Sequence, residues 1–121
     1  MKNKIVSITE EMFSDAYHED YEYLLGDYRL QEWSFGERED VIEMSSVQRI
    51  DPKTKQVDFA MKSSKFRVLT MLYCIKEAPF GKVTQKAIRD LPVIVAEFLF
   101  ESVSELNESM TEEQQKKFKE S

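Results

Sequence analysis

Two of the chain's three prolines and one of its three glycines fall in a single stretch, YCIKEAPFGKVTQKAIRDLP, residues 73–92. Proline lacks the backbone N–H that a helix interior needs, and it pushes the residue before it out of the α region. The two most apolar parts of the sequence therefore cannot be one helix. The first has Phe66, Leu69, Leu72 and Ile75 at helical spacing, flanked by Val68, Met71, Tyr73 and Cys74. So wide an apolar face predicts a central helix touched on more than one side, capped by Ser63 or Ser64 and stopped by Pro79. The second begins at Pro92, a residue suited to a first helical turn, and carries a stripe of Leu91, Ile94, Val95, Phe98, Leu99, Ser102, Val103 and Leu106. Asn107 marks its end, since Asn tolerates the left-handed conformation. Between the two, Thr84 is placed to cap a short helix over QKAIRDL.

Upstream, Ser34 and Glu37 have the spacing of a capping box and predict a helix from about Phe35 to Ser46, with Val41, Ile42 and Met44 as its apolar positions. Tyr21, Tyr23 and Leu25, then Tyr28 and Leu30, alternate around Gly26-Asp27 and predict a β-hairpin. Val47 and Ile50 lead into a Pro52 turn, and Val57 and Phe59 lead out, which predicts a second hairpin. Thr9 is a candidate cap for a short helix over ITEEMFSDAY, and Ile5, Val6 and Ile8 read as scattered apolar positions. The expected fold is mainly α with a small antiparallel β-hairpin element, its helices grouped around the central amphipathic one. An acidic N-terminal segment over 1–20 precedes one globular helical domain over 21–107. A charged tail over 108–121 follows, with Thr111 and Glu113 marking a last short helix.

At 121 residues the chain has the length of one domain, and 41% apolar residues allow a real core. No apolar run approaches the roughly 20 residues of a membrane span. The N-terminus has two lysines but no apolar stretch behind them, so it does not read as a secretion signal. A single cysteine, Cys74 in an apolar run, excludes an intramolecular disulfide framework and favours a reducing, cytoplasmic setting.

The formal net charge of −6 hides a segregation. Residues 1–43 hold twelve acids and four bases, residues 44–89 three acids and ten bases, and residues 90–121 eight acids and three bases. A bipolar chain of this kind can self-associate or meet a partner of complementary charge, unless the opposite blocks simply meet inside the fold. Lysines and arginines between Lys53 and Arg89 interleave with Phe59, Tyr73 and Phe80, a pattern that could track phosphates, but the acidic balance of the whole chain argues against nucleic acid.

Catalytic signals are sparse. His18, the one histidine, sits in HEDYE beside Glu19, Asp20 and Glu22, and no second His or Cys stands at metal-ligand spacing. There is no G-x-S-x-G elbow and no Gly-rich phosphate loop. The expectation is no enzymatic activity, no cofactor and no metal.

The order of signals over residues 21–107, about three-quarters of the chain, resembles the tail assembly chaperones of long-tailed bacteriophages. The matching pieces are DYRLQEWSFGEREDVIE, the central LTMLYCIKEAPF, and IRDLPVIVAEFLFESVSELN with its Leu-Pro entry, closing Leu-Asn and acidic tail. The long acidic N-terminus and the basic RIDPKTKQVDF depart from the family's pattern. The resemblance implies a largely helical fold with a small β element. It also implies a non-enzymatic role in the cytoplasm of an infected host: binding the aggregation-prone tape measure protein while tail tube protein is recruited around it. Phe80, at the bend APFGK, and Val93 and Phe100, off the main stripe of the last helix, are the candidate partner-binding residues; the alternative is that they fold back into the core. Two other functions fit the same residues. One is a structural virion component of the neck, connector or baseplate, and the other is a small nucleic-acid-binding regulator.

Overall fold

A computed structural model describes residues 1–16 and 19–108. Strands and helices alternate along the chain: β1 (Asn3–Ile8), two 3-10 segments (Glu10–Ala16 and Glu19–Leu24), β2 (Gly26–Gln31), α1 (Phe35–Ser45), β3 (Ser46–Ile50), β4 (Val57–Met61), α2 (Ser63–Cys74), β5 (Ile75–Glu77), α3 (Gln85–Arg89) and α4 (Val93–Leu106). The strands form two antiparallel sheets, one of three strands in the order β1-β2-β5 and one of two, β3-β4. The protein is therefore α+β, and the expectation of a mainly helical fold with a minor hairpin is corrected. Two misread segments account for the difference.

The first is the N-terminus. β1 pairs with β2 in the register Lys4↔Leu30, Val6↔Tyr28 and Ile8↔Gly26. Val6 and Ile8 are buried while Ile5 is exposed, so the apolar positions that read as scattered in fact have the period of two of a half-buried strand. The expected hairpin around Gly26-Asp27 is absent, because Tyr21, Tyr23 and Leu24 lie in a 3-10 segment rather than a strand. That segment has its own packing: Tyr21 stacks on Phe13 with ring centroids 5.1 Å apart, and Leu24 is fully buried. The Leu24 carbonyl accepts a 2.8 Å hydrogen bond from the buried Tyr28 hydroxyl. Burial holds the Tyr28 phenol well above its usual range, so it remains a proton donor.

The second is the end of α2. The helix stops at Cys74 instead of running towards Pro79, and Ile75–Glu77 become β5 on the free edge of β2, with Leu30↔Ile75 and Arg29↔Glu77 in register. Ile75 is buried there, and the exchange satisfies edge hydrogen bonds of β2 that a longer helix would leave open. Neither Ser63 nor Ser64 is the cap: Lys62 holds the N-cap position with no side-chain hydrogen bond.

Other expectations stand. Ser34 and Glu37 form the capping box, with the Glu37 N–H to Ser34 Oγ at 3.2 Å and the Ser34 N–H to Glu37 Oε1 at 2.9 Å. Burial alone would raise the Glu37 carboxyl, but the Ser34 N–H, the Lys76 ammonium 3.6 Å away and the Ser34 hydroxyl together hold it below the usual carboxylate range. Thr84 caps α3 through the Ala87 N–H at 3.1 Å. The second hairpin is present as β3 and β4. Asn107 ends α4, though its φ of −89° is not left-handed. Its side chain is employed instead: Oδ1 accepts from the Trp33 N–H at 2.9 Å and Nδ2 donates to Cys74 Sγ at 3.3 Å. One side chain thus ties the end of α4 to the entry of α1 and the end of α2. The expected helix near Thr111 and Glu113 lies outside the described residues.

The core lies between the three-stranded sheet and the helices. Val6, Ile8, Tyr28, Leu30 and Ile75 supply the sheet side, and Val95, Leu99 and Val103 of α4 are fully buried against it. α2 packs against α1, α3 and α4.

Candidate functional site

Where α2, α3 and the start of α4 meet, they leave an open cleft of about 360 Å³. Its floor is apolar, made by Val68 and Met71 of α2, Ile88 of α3, Leu91, and Ala96 and Phe100 of α4. Arg67, Arg89 and Glu97 stand among its lining residues. The cleft follows from the sequence: Pro92 opens α4, so the chain between α3 and α4 is short and holds the two helices beside α2 without filling the space between them.

Two of the three candidate residues come together here. Val93, at the first turn of α4, is 71% exposed on the cleft wall. Phe100, two turns further on, is half-buried, and the Arg67 guanidinium carbon lies 5.2 Å from its ring centroid. That geometry is a cation–π contact. Phe80 is elsewhere. The turn Ala78–Gly81 closes with the Gly81 N–H on the Ala78 carbonyl at 3.1 Å, and the half-buried Phe80 ring lies 6.0 Å from that of Tyr28. Gly81 takes a φ of +101°, which a glycine accepts at no steric cost. Pro79 beside it leans on Gly26, whose φ is +133° and where an added Cβ would stand 3.1 Å from the proline ring. Pro79 and Gly81 therefore serve a turn docked on the sheet, with Phe80 packed against the core and not lining the cleft.

A second surface escapes the sequence reading. In β4, Val57, Phe59 and Met61 point to one side, and the register Ile50↔Val57 adds Ile50 from β3. All four are exposed: Ile50 64%, Val57 49%, Phe59 72% and Met61 47%. The alternation that finds the strands was legible; that no described residue covers this face was not.

His18 lies outside the described residues. Among the described residues no group of three or more His, Cys, Asp or Glu side chains could hold a metal ion. Cys74 is fully buried, and burial pushes its thiol above the usual range, so it behaves as a packing residue with little thiolate character. Of the basic middle block, Lys76 pairs with Glu37 at 3.6 Å and Lys86 with Asp90 at 3.3 Å, so charge blocks do meet inside one chain. Among the described residues no helix is long and apolar enough to cross a membrane. No family model, no curated protein and no solved structure matches this chain.

Proposed function

We propose that the chain is a non-enzymatic assembly chaperone for a long phage tail, acting in the host cytoplasm and holding apolar segments of a tape measure protein until tail tube protein assembles around them. The observation that carries this reading is the apolar cleft with Val93 and Phe100 on its wall. A chaperone of this kind needs an apolar surface that stays open to water, takes up a client helix by its side chains and lets it go again. The cleft is wide enough for one or two client side chains at a time, and Arg67, Arg89 and Glu97 can orient the polar flank of an amphipathic helix. The resemblance of the segments around Tyr73–Phe80 and Leu91–Asn107 to tail assembly chaperones points the same way. Phe80 plays no part in the cleft, so the client surface rests on Val93 and Phe100.

The test is capture of a co-expressed tape measure fragment. Val93→Asp places a carboxylate at a helix N-terminus, where the dipole favours it, so folding is unharmed. Loss of one buried apolar contact of about 2 kcal/mol corresponds to roughly thirtyfold weaker binding. We expect Val93→Asp to lower capture by about that factor at unchanged melting temperature. Capture that survives Val93→Asp and Phe100→Ser at wild-type strength refutes the assignment.

A further inference from the structure

We infer that the β3–β4 ribbon is a self-association arm, and that two copies of this chain pack their ribbons face to face across a two-fold axis. The register places Ser46, Gln48, Ile50, Val57, Phe59 and Met61 on one face, and none of the six is charged in a chain that is 33% charged. The charges of the strands lie on the other face, where Arg49 stands directly opposite Asp58. A two-stranded ribbon by itself is marginal in water, and at the base of this one the Lys62 N–H reaches the Ser45 carbonyl at 2.9 Å. Its uncharged face thus needs a cover, and no like charges oppose one another when two such faces meet.

Area favours a second copy as that cover. The four exposed apolar residues offer roughly 500 Å² per copy, or about 1,000 Å² for a pair, the size of a weak, reversible contact. An antiparallel two-fold arrangement lets each copy contribute the same uncharged face, as an isologous contact requires. The arm is separate from the cleft between α2 and α4, so this inference stands or falls independently of the client reading.

Sedimentation of the intact chain over a range of concentrations tests it. We expect a reversible dimer, a dissociation constant raised about thirtyfold or more by Phe59→Asp at unchanged circular dichroism, and no effect of Val93→Asp. Because Cys74 is buried, a second cysteine reports position cleanly. Gln48→Cys, opposite Phe59 on the uncharged face, should give a covalent dimer with diamide, and Arg49→Cys on the other face should not. This contrast decides the matter even where Phe59→Asp loosens the ribbon. A chain that stays monomeric at all concentrations, a dimer indifferent to Phe59→Asp, or equal cross-linking of the two cysteine variants overturns the proposal.

Discussion

The three-stranded sheet and the β3–β4 ribbon are built from strands that look alike in sequence. In β2, Tyr28 and Leu30 alternate with Asp27, Arg29 and Gln31; in β4, Val57, Phe59 and Met61 alternate with Asp58 and Ala60. Yet Tyr28 and Leu30 are fully buried, while Phe59 is 72% exposed. The cause is what lies over each apolar face. α4 crosses the first sheet with Val95, Leu99 and Val103, whereas among the described residues Ile50, Val57, Phe59 and Met61 of the ribbon stay exposed. Alternation makes a strand amphipathic, but only the rest of the chain, or another chain, determines whether its apolar side becomes core or contact surface.

The comparison breaks most visibly in the core. Leu30→Ala should cost about 2–5 kcal/mol in denaturant unfolding, and Phe59→Ala, measured in dilute solution, within about 0.5 kcal/mol. Equal costs would mean that the ribbon is covered in the isolated chain. Next in size is Asn107→Ala, which strands the Trp33 N–H and removes a donor from Cys74; a loss of about 1–3 kcal/mol is expected, read from the shift in the unfolding midpoint. Its effect falls on the body, so ribbon self-association should not change with it.

A smaller effect belongs to the helix that leads into the ribbon. Ser34→Ala removes the cap of α1 and should cost about 1 kcal/mol. Glu37, its reciprocal partner, has a folded-state carboxyl held below the ordinary range. Its contribution is therefore fully present above that range and is lost as the pH falls through the folded value. Thermal unfolding from neutral to acid pH should show this loss, and Glu37→Gln should flatten it; an unchanged acid limb would place the pH dependence elsewhere. Smallest of all is Ser45→Ala, where α1 passes into β3. The Ser45 hydroxyl is buried without a hydrogen-bond partner among the described residues, so its removal should be neutral or slightly stabilising by melting temperature. A clear destabilisation would show that the hydroxyl has a partner.

The parts legible beforehand share one property: their signals are local. The Ser34–Glu37 box and the Thr84 cap depend on side chains reaching backbone groups three residues away, and the Pro52 turn on a ring that fixes its own φ. The misread parts involve distant partners. Ile5, Val6 and Ile8 form a strand because residues 26–31 lie beside them, and Ile75–Glu77 leave the helical pattern because β2 has an open edge. The candidate residues divide in the same way. Val93 and Phe100 could be found by asking which apolar positions of one helix fall off its stripe, whereas Phe80 required knowing that Tyr28 stands beneath it.

From the sequence alone came the helices around Phe66–Cys74 and Val93–Leu106, the bend that separates them, the β3–β4 hairpin and the unequal distribution of charge. Periodicity, caps and prolines act over one or two turns of chain and need no partner to be read. The tertiary structure alone decided that β1 completes a sheet, that α4 closes it, that Phe80 turns inward and that Phe59 turns out. Those outcomes depend on which faces meet across tens of residues, and hydrophobic burial, being non-directional, does not record its partner in the local pattern.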